Sequence, residues 1–223
     1  MVESAPLGAY LPYLLSGFYY TALLTLAGLS LGFVLGVALA FAESYLPRPL
    51  GGVASAVEQL LRGIPLIVMF FLIYFGLPSA GLVLTPEAAA SVGLGLRSGG
   101  YQSQIFRSAL GSIGAGQVEA ALSLGMTKLT AYREVLLPQA LRLSVPAWSN
   151  EFTVVLKDTS MAYAIGVTEL LKTAANVVAV TLRPLDVYLI ISAVYFVSTA
   201  VVSRGMNAIH RRKGIPGLGV SSR

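Results

Sequence analysis

The chain has no cysteine and a single histidine, His210, among its 223 residues. Without thiols there is no disulfide framework, no thiolate metal site and no cysteine nucleophile. The one imidazole stands beside Arg211, Arg212 and Lys213 near the C-terminus, which excludes a histidine-built catalytic or metal centre. A phosphate-binding loop of the GxxxxGK[ST] type is also missing, so ATP and its magnesium have no such site on this chain. Charge is scarce: 11% of residues are charged and 56% are hydrophobic, whereas soluble domains carry about 25% charged residues. A mean hydropathy of +0.76 excludes both an ordinary soluble globule and a disordered chain.

What is present is a set of long uncharged runs. Ser4–Ala42 holds 39 residues without a charge, Gly63–Pro86 holds 24, and Val187–Ser203 holds 17. A membrane helix needs roughly 20 apolar residues. The first charge is Glu3, so the first run lacks the positive n-region of a cleaved signal peptide and reads as a permanent span. Two further candidates carry charges: one around Arg97, and one holding Glu151, Lys157 and Asp158. The sequence therefore predicts an all-α integral membrane protein with a single transmembrane domain over 1–223. It has about five spans, near 13–42, 63–84, 86–110, 143–166 and 184–204, and a long loop over about 111–140.

Basic residues set the orientation. Arg48, Arg62, Arg107, Lys128, Arg133, Arg142, Arg204, Arg211, Arg212, Lys213 and Arg223 fall on one set of connections; Lys157, Lys172 and Arg183 fall on the other. The richer side stays cytoplasmic, which puts the N-terminus outside and the C-terminus inside. The net charge of +5 is then a matter of topology and of contact with the anionic bilayer surface, not of nucleic-acid binding. Trp148, Tyr13, Tyr19 and Tyr20 read as interfacial anchors.

The connection between Arg107 and Arg142 is longer than joining two spans requires. Val118, Ala121, Leu122 and Leu124 have helical spacing, Gly125 interrupts it, and a second helical stretch covers about Lys128–Leu137 before Pro138. By periodicity alone this is either an amphipathic surface helix or a docking knob. The residues Glu119-Ala120-Ala121, then Gly125, then Val135, Leu137 and Pro138 resemble the EAA signature of ABC importer permeases at every spacing. Arg62-Gly63-Ile64-Pro65-Leu66, Leu137-Pro138-Gln139-Ala140-Leu141-Arg142, Asn150-Glu151-Phe152 and Lys157-Asp158-Thr159-Ser160 resemble segments of the polar amino-acid uptake permeases, in that family's order over roughly 13–205. The departures are Arg97 where an asparagine is usual, Gln104 where a glutamate is usual, and Gln59, beside Glu58, where a glutamate is usual.

The resemblance implies a permease subunit in a prokaryotic cell membrane. An ABC ATPase subunit would dock inside on Glu119, Ala120, Ala121, Gly125 and Pro138 and hold the ATP and magnesium. A solute-binding protein would dock outside, and a second copy or sister permease would complete the pathway. Glu119 is expected near a helix start, and Gly125 in a tight or left-handed turn. An intramembrane enzyme lacks the residues for its chemistry, and a passive channel has no use for the loop.

Charges inside a membrane default to function. An amino-acid substrate carries an ammonium, which Glu151 or Asp158 would take. It also carries a carboxylate, for which Lys157, Arg97 or backbone donors around Gly63 and Pro65 are available. Arg97 would disfavour cationic substrates, unless it pairs with Glu151. The competing reading is an ion-pair network that pins the helices and never meets substrate.

Overall fold

The computed structural model describes residues 6–212, with side chains to residue 208. Glu3, Lys213 and Arg223 lie outside the described residues, as do the side chains of His210, Arg211 and Arg212. Nine α-helices and no strand occur in the described part: α1 Leu11–Tyr45, α2 Arg48–Gly63, α3 Leu66–Phe71, α4 Pro86–Gly111, α5 Ala115–Ser123, α6 Lys128–Ala131, α7 Leu137–Asp158, α8 Leu170–Thr181 and α9 Pro184–Arg212.

Two helical stretches are each long and apolar enough to cross a membrane, Leu7–Tyr45 and Pro184–Ala208. Two bent pairs qualify together: Arg48–Gly63 with Leu66–Ala80, bent by 100°, and Lys128–Ile165 with Leu170–Thr181, bent by 55°. The first bend follows from Pro65. Its ring disfavours helical backbone at Ile64, which is extended (φ −80°, ψ 126°), and α2 stops there. Helix α4 has 26 residues, enough to span, but it is polar. Part of its polar set points inward: Ser98, Gln102 and Ser103 are fully buried.

Helices α1 and α4 form the centre of the fold. They meet along small residues, which let membrane helices approach closely. A Cβ built on Gly36 would lie 2.8 Å from Gln102 Cβ and 3.0 Å from the Ser103 nitrogen. One core cluster, with Phe70 and Leu94, fills the middle; a second, with Ala40, Phe106, Tyr132 and Leu136, lies at the C-terminal end of α1. A third, with Leu14, Leu170, Val177 and Val187, lies at its N-terminal end.

The segment before α7 departs from the expected pattern. Pro138 does not end the second helical stretch. The helix runs from Lys128 through a widened turn at Tyr132–Leu136 and continues as α7. Proline lacks an N–H and its ring would strike the carbonyl four residues back, at Glu134; one wide turn relieves both problems without breaking the helix. The helix that carries the fourth predicted span consequently starts well before residue 143. Helix α8 was not anticipated. It is amphipathic, and its first turn is capped by Glu169, whose carboxylate accepts from the Leu171 and Lys172 N–H groups at 2.8 and 2.9 Å.

Candidate functional site

The charged residues flagged by the sequence converge. Helix α4 contributes Arg97 and Tyr101, α7 contributes Glu151 and Asp158, and the end of α2 contributes Glu58, Arg62 and Gly63. Arg97 Nη1 donates to Asp158 Oδ2, joining α4 to the last turn of α7. Its guanidinium also lies 4.9 Å from the Tyr101 ring centroid, and the Arg62 guanidinium lies 5.8 Å from the same ring. Arg62 is in turn paired with Glu58, one helical turn before it. Cations over an aromatic face and within reach of a carboxylate are doubly compensated.

Arg62 is therefore tied into this group and is not a solvated flanking charge. It packs against Gly100 and Tyr101, halfway along α4, because the α2–α3 bend carries the end of α2 inward. Glu58 explains the neighbouring departure: it is buried while Gln59 is exposed, so the acid sits one position earlier and serves Arg62 at the i,i+4 spacing.

Glu151 does not pair with Arg97. Its Oε1 accepts from Ser98 Oγ at 2.8 Å. Ser98 Oγ accepts from Gln102 Nε2 at 3.0 Å, and Gln102 Oε1 accepts from Trp148 Nε1 at 2.8 Å. Gln102 Nε2 also donates to the Leu29 carbonyl of α1 at 3.2 Å. Trp148 is thus a core partner of α4 rather than an interfacial anchor. Tyr13, Tyr19 and Tyr20 remain exposed on α1.

The Arg97–Asp158 pair stays open, with side chains 20% and 15% exposed. Gly63, Pro65 and Lys157 are exposed close by in sequence, and a Cβ on Gly63 would meet nothing within 4 Å. The group is thus a polar face backed by the largely buried Glu151–Ser98–Gln102–Trp148 chain. It can hold an ammonium on a carboxylate and a polar side chain on a guanidinium or an aromatic ring.

At the other candidate site, Ala121 of α5 is buried and Val118 packs on the cluster at the last turns of α1, where Phe41, Tyr45 and Tyr132 meet with ring centroids 4.7–5.7 Å apart. Glu119 and Ala120 face outward. Glu119 lies in the second turn of α5, not at its start, because the helix begins at Ala115. Gly125 has φ +81°, a conformation that suits glycine. The turn lets Thr127 cap the next helix by accepting from the Thr130 N–H at 3.2 Å. Pro138 is exposed at the far end.

The chain matches, over residues 32–214, the family described as binding-protein-dependent transport system inner membrane component. It belongs to that family. A probable amino-acid permease protein, YxeN of Bacillus subtilis, is 36% identical over 86% of this chain and 87% of its own length. The glutamine transport system permease protein GlnP of Escherichia coli is 34% identical over 92% of this chain and 94% of its own. A crystal structure of an amino acid ABC transporter with histidines superposes with a TM-score of 0.84 at 35% identity, covering 95% of this chain and 99% of that one. The methionine transporter MetNI in an inward facing conformation shares the fold, with a TM-score of 0.79 at 22% identity and coverage of 95% and 99%.

The permease is therefore a membrane transport component with the fold of an ABC importer subunit. Four of its site-forming residues escaped sequence reasoning: Glu58, Ser98, Gln102 and Tyr101. Glu58 left a signal, its i,i+4 spacing to Arg62. Ser98 and Gln102 share a face of α4 at i,i+4, a signal masked by the low hydropathy of the whole helix. Tyr101 left none.

Proposed function

We propose that this permease is the membrane subunit of an ATP-driven importer of polar amino acids. The observation that carries the reading is the half-open Arg97–Asp158 pair beside Tyr101, with the buried Glu151 behind it, in a chain whose family serves binding-protein-dependent transport. The names of the relatives, glutamine permeases among them, support the substrate class. Glu151 is the acceptor for the substrate ammonium, since it has only Ser98 as a hydrogen-bond donor among the described residues. The exposed residues Gly63, Pro65 and Lys157 border the path. The remaining groups, Arg97 and Asp158, face the substrate side chain.

Five spans fit the helices: α1, the α2–α3 pair, α4, α7 with α8, and α9. The N-terminus is external and the C-terminus cytoplasmic. Chemical work enters from a separate ATPase, which holds ATP and magnesium and docks on the segment from Glu119, Ala120 and Ala121 through Gly125 to Pro138. The stacking of this segment on the end of α1 gives it a rigid base for transmitting movement to the α1–α4 centre. A solute-binding protein delivers substrate outside, and a second permease completes the pathway; closed two-fold pairing suits such a subunit.

Co-purification tests the docking. The tagged chain, expressed with its ATPase, should retain that partner through detergent extraction, and Gly125→Asp or Glu119→Lys should lower the retained ATPase while membrane insertion persists. Full retention and full substrate-stimulated hydrolysis in both variants would overturn the docking role.

A further inference from the structure

The Arg97–Asp158 pair carries a consequence for substrate choice, which rests on the amino-acid reading above. Of the three carboxylates Glu58, Glu151 and Asp158, two have a guanidinium of their own that also lies over the Tyr101 ring: Asp158 is held by Arg97 and Glu58 by Arg62. The third, Glu151, accepts from a hydroxyl alone among the described residues. One carboxylate is thus left for the ammonium that every amino acid carries. The other half-open carboxylate, Asp158, is filled from within by a side chain that also lies 4.9 Å from the Tyr101 ring centroid. A carboxylate beside an aromatic ring is the arrangement that would receive a guanidinium or ammonium side chain of a substrate.

We propose that Arg97 is a built-in occupant of a side-chain subsite formed by Asp158 and Tyr101, and that it makes the permease reject cationic amino acids in favour of neutral polar ones. Being covalently attached, it holds an effective concentration of about millimolar or above at Asp158. A free cationic side chain must displace it and leave its charge unpaired in a half-buried place, where like charges repel strongly. A carboxamide side chain makes no such demand and can hydrogen-bond to the rim of the pair. Removing Arg97 should therefore create a cationic site.

Equilibrium binding of radiolabelled arginine and glutamine to the purified permease–ATPase complex tests this without the binding protein's own selectivity. Wild type should bind glutamine in preference to arginine. Arg97→Asn should raise arginine affinity at least tenfold, and adding Asp158→Asn should abolish the gain. Arg97→Gln, which keeps more of the side-chain bulk, should show the same gain and stands in if the asparagine variant does not assemble. The proposal is overturned if wild type prefers arginine, if neither variant gains arginine binding, or if the gain survives the loss of Asp158. Intact complexes that bind no amino acid, wild type included, would instead overturn the substrate reading on which it rests.

Discussion

Replacing Gly36 by alanine should loosen the centre of the molecule, although alanine is the better helix former. Relief of backbone freedom in the unfolded chain favours alanine by about 0.4–1 kcal/mol at an unstrained helical site. The added methyl would lie 2.8 Å from Gln102 Cβ, 3.0 Å from the Ser103 nitrogen and 3.1 Å from the Gln102 carbonyl carbon. All three atoms belong to the α4 backbone or sit directly on it, so no rotamer change clears them and the two helices must part. Overpacking of this kind costs about 1–3 kcal/mol, leaving a net loss on the order of 1 kcal/mol. Gly52 is the control: it lies within α2, and a Cβ there would meet nothing within 4 Å. Thermal unfolding in detergent should give a lower midpoint for Gly36→Ala and an unchanged or higher one for Gly52→Ala. Trp148 is the chain's single tryptophan and donates to Gln102, so its emission should shift in Gly36→Ala and not in Gly52→Ala. If Gly36→Ala is as stable as Gly52→Ala with unchanged emission, the close α1–α4 seam is wrong.

Further expectations follow from single contacts. Ser98→Ala removes the hydroxyl that donates to Glu151 and accepts from Gln102. Leaving buried polar partners unsatisfied costs about 1–3 kcal/mol, and the variant should lose both thermal stability and substrate-stimulated ATP hydrolysis; unchanged values for both would remove Ser98 from the site. Glu58→Ala leaves Arg62 without its carboxylate and should be more damaging than Gln59→Ala, whose side chain is exposed; equal expression and melting would contradict the shifted-acid reading. Accessibility labels introduced near Lys128 should react from the cytoplasmic side and those near Lys172 from outside, and cytoplasmic labelling at Lys172 would contradict the five-span topology.

The spans were legible where hydrophobicity alone makes a helix, as in α1 and α9. They were blurred where the helix is polar inside, as in α4, since a window average cannot say that Ser98 and Gln102 point toward α1. The Pro65 break was visible as a residue but its 100° bend was not, because the angle depends on how α3 packs against α4. That missing angle also hid the packing of Arg62 on Gly100 and Tyr101 of α4. Pro138 misled for the opposite reason: a local helix-breaking preference lost to the packing of Tyr132 and Leu136 on α1, and a wide turn absorbed the proline. In the site, residue types were legible but partners were not. Glu151, Asp158 and Arg97 could be paired in several ways on spacing, and only the rotation of α4 against α7 assigns Arg97 to Asp158 and Glu151 to Ser98. Helix α8 was hidden because its cap is Glu169, an uncommon residue at that position, held there by burial and by Tyr195.

Uptake into proteoliposomes tests the central claim most directly. The permease would be reconstituted with its ATPase inside, its binding protein outside, and radiolabelled glutamine as the probe. Accumulation should require internal ATP and external binding protein, and should fall at least tenfold in Gly125→Asp at equal permease content. Accumulation without ATP, or unaltered accumulation in the Gly125→Asp permease, would contradict an importer subunit driven through the 111–140 segment.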